Sequence, residues 1–110
     1  MAYDEALADR IRDLVADEPG LTEKKMFGGL GFMIAGNMAV AASGQGGILV
    51  RVDPAESEQL LATTAAFPME MQGRRMKGWL RVDSADLDGD EQLAEWVTRG
   101  ASYARSLPPK

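Results

Sequence analysis

The residues able to do chemistry are few, and their types narrow it quickly. The 110-residue chain has no histidine and no cysteine. Zinc sites of the Cys/His type, Ser-His and Cys-His nucleophile pairs and disulfides are therefore excluded. Ser43, Ser57, Ser102 and Ser106 have no histidine to activate them, and no Ser-x-x-Lys spacing occurs. The run from Ser84 to Glu95 has the outline of a calcium loop, with Asp86, Asp88, Gly89, Asp90 and Glu95. A serine stands where the first aspartate ligand belongs, and a helix has to begin inside the loop, so acidic capping of a helix N-terminus is the better reading. Gly28-Gly29-Leu30-Gly31 invites a phosphate-cradle reading, but Ile34 stands where the dinucleotide fingerprint needs a small residue, and a strand follows where a helix is required. A bulge, or a close approach between sheet and helix, explains those glycines. No catalytic, cofactor-binding or metal residue is expected, and no enzyme activity.

Two other groups of residues have the chemistry of binding. Lys24, Lys25, Arg74, Arg75 and Lys77 make up five of the twelve basic residues and flank expected strand entries and turns, a candidate anion or partner patch. Interleaved aromatics are scarce there, with only Phe27 and Trp79, which weakens a single-strand nucleic-acid platform. Six of the seven methionines (Met26, Met33, Met38, Met69, Met71 and Met76) lie in or beside expected strands. Methionine fills irregular cores and also lines adaptable binding surfaces; strand alternation favours the core.

The elements that must position these residues follow from periodicity. Leu7, Ile11, Leu14 and Val15 mark one face of a helix over about residues 4–17, capped by Asp4 and stopped by Pro19-Gly20. The stretch from Met26 to Val52 reads as a three-stranded meander in the middle of the sheet, with strands over 30–35, 38–42 and 48–52 and a tight turn at Gly36-Asn37. Residues 22–27 read as a short strand or the run-in to one. Asp53-Pro54-Ala55-Glu56 starts a second, short helix with Leu60 and Leu61 on its buried side. Residues 67–71 alternate weakly, Gln72-Gly73-Arg74 turns, and Trp79, Leu80 and Val82 mark a fifth strand. Leu93, Trp96, Val97, Gly100, Ala101 and Ala104 form the apolar stripe of a last helix, capped by Asp88 or Asp90. The order α-β-β-β-α-β-β-α argues an α+β fold with helices on one face of an antiparallel five-stranded sheet, a single domain over 1–110.

Composition sets the remaining bounds. A net charge of −5 disfavours nucleic acid as a partner. The N-terminus is acidic and unlike a signal peptide, and no apolar run is long enough to span a membrane, so the cytoplasm is the expected location. Antiparallel edge strands or a Met-rich face point to a homodimer.

Met26-Phe27-Gly28-Gly29-Leu30-Gly31-Phe32, Leu49-Val50-Arg51-Val52, Gly73-Arg74 with Met76-Lys77-Gly78-Trp79, and Ser106-Leu107-Pro108-Pro109-Lys110 together resemble the TfoX/Sxy N-terminal domain. The resemblance covers nearly the whole chain in order. It implies a two-layer α+β unit of the secretion-chaperone-like type. Full-length members regulate natural competence, assisting a cyclic-AMP receptor protein, and carry a C-terminal helical domain; this chain, ending at Lys110, is expected to be a stand-alone N-terminal domain. The resemblance supplies no catalytic residues. The expected function is a non-enzymatic regulatory or protein-interaction domain with an unidentified protein partner. The alternative is a nucleic-acid-binding regulator using the basic patch.

Overall fold

The order of elements is α1 (Glu5–Val15), β1 (Leu21–Met26), β2 (Gly29–Ile34), β3 (Asn37–Ala42), β4 (Ile48–Arg51), α2 (Pro54–Thr63), β5 (Phe67–Met71), β6 (Arg74–Val82), a 3-10 turn at Ser84–Leu87 and α3 (Asp90–Ser106). This is a computed structural model, and it describes residues 3–26, 28–71 and 73–109. Phe27 and Gln72, expected in a strand run-in and a turn, lie outside them, as does Lys110.

All strands join one antiparallel sheet in the order β1-β2-β3-β4-β6-β5. It has six strands where five were expected, and the added strand is β1. Its Glu23, Lys24 and Lys25 leave no apolar alternation to read, so pairing with β2, from Leu21↔Ile34 to Met26↔Gly29, defines it. The meander expected from 26 to 52 is present as β2, β3 and β4 and occupies the middle of the sheet.

Alternation decides which side chains meet the helices. Leu30, Phe32 and Ile34 of β2, Val40 and Ala42 of β3, Ile48 and Val50 of β4, and Leu80 and Val82 of β6 form one buried cluster with α1 and α3. The α1 stripe enters it through Leu7, Ala8, Ile11 and Val15, and α3 through Leu93, Trp96, Val97, Ala101 and Ala104. Leu14, expected on the buried face of α1, is exposed instead. Trp96 is 6% exposed, and Trp79 is less buried because Leu80 takes the inward place on β6.

Asp4 caps α1 by accepting the Leu7 N–H at 3.2 Å. Arg12 reaches from α1 to β1, donating to both Glu23 carboxylate oxygens at 2.7 and 2.9 Å, and this holds the Glu23 carboxyl below its ordinary range. Asp53 caps α2 by accepting the Ala55 N–H at 2.9 Å, with Pro54 at the first helical position. The buried residue of α2 is Ser57; Leu60 and Leu61, expected to be its buried side, are only half-buried against the core. Gly89, not Asp88 or Asp90, occupies the N-cap of α3, and Asp90 and Glu91 sit in its first turn, where they favour the helix dipole without capping.

The β2–β3 turn falls one residue earlier than expected. Ala35 and Gly36 have φ of 51° and 85°, the positive pair of a type I′ hairpin. Asn37 therefore opens β3, buried, and its amide donates to the Pro108 carbonyl at 3.0 Å, tying down the C-terminal segment.

Two irregularities bend the sheet. Phe32 pairs with Val40 but Met33 with Met38, so Ala39 is the extra residue of a bulge. In β6, Gly78 has φ of 82°; its N–H donates to the buried Ser57 hydroxyl at 2.9 Å and its carbonyl accepts from the Val52 N–H at 2.7 Å. Ser57→Ala leaves that buried N–H without an acceptor, which is expected to cost about 1–3 kcal/mol. Chemical denaturation checks this, and an unchanged midpoint would show that the bond adds nothing to stability.

Candidate functional site

The residues that alternate away from the helices form the other face of the sheet. Met33 comes from β2, Met38 and Ala41 from β3, Leu49 from β4 and Trp79 from β6, with Met69 and Met76 from the β5–β6 hairpin. They line a trough of about 640 Å³, and Ser43, Gly44 and Gln45 of the β3–β4 bend also belong to its lining. The Ala39 bulge shapes this floor. Without the extra residue, Met38 would share the helix side with Val40; with it, Met38 pairs with Met33 and joins it in the trough. Of the methionines expected in the core, Met38 is buried as expected although it lies toward the trough, and Met33, Met69 and Met76 line this face outside the main core cluster. Met76 is 37% exposed. The side chains of Met26 and Met71 lie outside the description.

Two arginines stand in the apolar lining. Pairing between β3 and β4 ends at Val40↔Val50, and Arg51 sits just beyond, where the strands part. Its guanidinium carbon lies 5.2 Å from the Trp79 ring and 5.7 Å from the Tyr103 ring of α3. Arg81 lies 5.2 Å from the Phe67 ring and donates to the Gln45 side-chain oxygen at 2.7 Å. Glu70 is the only carboxylate in the lining among the described residues. The trough can thus take apolar surface on its floor and a negative charge at its arginines.

The five nominated cations fall elsewhere. Lys24 and Lys25 sit on edge strand β1, paired with Gly31 and Leu30, so they point to opposite faces of the sheet. Arg74, Arg75 and Lys77 lie on the part of β6 that runs beyond β4 and pairs only with β5. Three strands stand between the two groups, roughly 19 Å across the sheet. The sheet order does not bring them into one patch. Arg51 and Arg81 were passed over, although each is a lone cation alternating with core residues (Val50 and Val52, Leu80 and Val82), a pattern that marks a charge on the far face of a central strand.

A second cleft of about 930 Å³ lies between α2 and α3, lined by Asp53, Glu56, Glu91, Glu95 and Arg99 among others. It is wide open, and Asp53 is already engaged in capping α2. Within the calcium-loop pattern, residues 84–87 form the 3-10 turn and α3 begins at Asp90; among the described residues, no group of three or more His, Cys, Asp or Glu side chains is placed to hold a metal. Gly28 has φ of 77° and Gly29 enters β2, where a Cβ would stand 2.4 Å from the Ala42 carbonyl oxygen. The close approach is thus between two strands, not between sheet and helix. No helix among the described residues is long and apolar enough to cross a membrane.

None of the curated proteins matches the chain. A family model does, over residues 13–104, a span that takes in the last part of α1, all six strands, α2 and nearly all of α3. The chain belongs to the TfoX N-terminal domain family.

Proposed function

We propose that this chain is a non-enzymatic, cytoplasmic regulatory domain that works by docking a protein partner on the open face of its sheet. The observation that carries the reading is the Met-lined trough. An apolar sheet face is normally covered, and a rimmed apolar patch on a soluble domain is the usual mark of an interaction surface. Methionine suits such a surface because its unbranched thioether repacks around different shapes. On this reading the domain is a two-layer unit of the secretion-chaperone-like type, with one layer of helices and a sheet whose outer side is left for the partner. Membership of a family of competence regulators supports regulation as its setting.

Leu49 and Met76 lie in the trough and outside the core cluster, so changing them tests the face without emptying the interior. In a pull-down from native lysate analysed by mass spectrometry, the parent chain is expected to recover one stoichiometric protein. A Leu49→Asp, Met76→Asp variant should recover at least ~10-fold less of it, as for the loss of central interface contacts. Equal recovery by both chains, or recovery of nucleic acid alone, would overturn the reading.

A nucleic-acid-binding regulator is the second reading. It is favoured by the concentration of basic residues in the strands, which hold seven of the twelve. The wide separation of the two nominated groups counts against it.

A further inference from the structure

Taking the open face as the docking surface, and resting on that reading, we propose that its occupant is an amphipathic helix of an acidic partner, with carboxylates at Arg51 and Arg81 and an apolar stripe on the methionines.

Charge is sorted between the parts of this molecule. The strands hold seven of the twelve basic residues and two of the seventeen acidic ones, a formal charge of +5, while the rest of the chain carries −10. One of the two strand carboxylates, Glu23, is already bonded to Arg12 on the helix side. The strand totals cover both faces of the sheet; the trough lining itself holds two arginines against one carboxylate, Glu70, and so is net positive on a protein that is acidic as a whole. Arg51 makes no ion pair and no side-chain hydrogen bond among the described residues, and the hydrogen bonds of Arg81 go to neutral oxygens of Gln45 and Gly46. Both guanidinium groups are held against aromatic rings, so little side-chain freedom remains to be lost when a carboxylate arrives.

A helix fits the rest of the lining. Gly29, Ala41 and Gly44 keep parts of the trough floor low, so a rod about 10 Å across can lie close to the sheet. Helices held in a methionine-rich groove by a few apolar anchors are a recurring mode of recognition. A second copy suits the face less well, because a two-fold contact sets the same patch against itself and so opposes like charges. The sheet edges offer no substitute: β1 carries Glu23, Lys24 and Lys25, and β5 carries Pro68, both features that discourage edge pairing. A nucleic acid would satisfy the arginines but would find thioethers and Leu49 on the floor, with Trp79 already faced by Arg51.

Two synthetic helical peptides of ~18 residues, about five turns, share a Leu/Met stripe and differ only in flanking residues, Glu in one and Lys in the other. In calorimetric titrations of the full chain, the Glu peptide should bind at least ~10-fold tighter than the Lys peptide. An Arg51→Glu, Arg81→Glu variant with unchanged circular dichroism should reverse that order; if it fails to fold, Arg51→Gln should still weaken the Glu peptide alone. Equal binding of both peptides would overturn the charge-selective occupant while leaving the docking surface standing. If neither peptide binds and the Leu49→Asp, Met76→Asp variant also recovers its partner normally, both fall. A single-stranded oligonucleotide that binds tightly and displaces the Glu peptide would replace the proposal with a nucleic-acid face. A concentration-dependent dimer that excludes the peptide would replace it with a second copy.

Discussion

Trp96→Ala is expected to destabilise the domain by about 3–5 kcal/mol, the range for deleting a large aromatic side chain from a core. Trp96 is 6% exposed in the middle of the α3 stripe, between Leu93 and Val97 on one side and Gly100 and Ala101 on the other. Its ring also carries Arg99, whose guanidinium carbon lies 4.7 Å from the ring centre, so truncation removes a cation–π contact as well as apolar area. The remaining atoms cannot collapse into the space easily, because the neighbouring stripe positions 100 and 101 are already small and the sheet behind is held by its ladder hydrogen bonds. A domain of this size is stable by roughly 5–15 kcal/mol in all, so the loss should be plain in a denaturation midpoint. Trp79→Ala is expected to cost less, since that ring lies half-buried on the open face. Equal losses at the two tryptophans would mean that α3 does not dock as described.

The parts of the fold legible in the sequence were those where one residue type has one physical use. The α3 stripe was readable because all six of its expected positions face the core. Asp53-Pro54 was readable because a carboxylate cap followed by an imino acid without an N–H has few other local meanings. The meander was readable because its strands are apolar and separated by glycine-rich bends. What stayed hidden depended on neighbours distant in sequence. Charged β1, left open between a short strand and the run-in to one, is a strand because β2 pairs with it, and Glu23-Lys24-Lys25 alone could not decide between the two. Asn37 looked like a turn residue because its use, a hydrogen bond to Pro108, lies 71 positions away.

The trough was not legible in the sequence for a related reason. Methionines at strand positions were assigned to the core because an alternating pattern shows that two faces exist without showing that one of them is left uncovered. The Ala39 bulge compounds this: it puts two successive residues, Ala39 and Val40, on the core side and moves Met38 to the other, breaking the alternation on which the reading relied. The basic residues that cluster in sequence are split across the sheet. Adjacent cations draw notice, whereas Arg51 and Arg81, spaced singly along apolar strands, line the trough.

That bulge is also where core and candidate site meet, which sets the last expectation. Gly100 sits on the α3 stripe over Ala39, and a Cβ added there would stand 2.4 Å from the Ala39 carbonyl oxygen and 3.2 Å from a Val50 methyl. In a free helix, replacing glycine by alanine gains about 1 kcal/mol of propensity. Here the nearest atom is backbone, not the end of a flexible side chain, so α3 or the bulge has to move. Overpacking of this kind typically costs about 1–3 kcal/mol, enough to cancel or outweigh the propensity gain. Gly100→Ala is thus expected to lower the denaturation midpoint. It should also disturb the trough, because Met38 is carried by the residue next to the bulge and shifts when Ala39 is pushed. NMR signals of the Met38 and Met33 methyl groups should move in this variant although both lie across the sheet from position 100. A raised midpoint with unmoved methionine signals would mean that α3 and the bulge are not in contact, and that the floor of the trough is set by the strands alone.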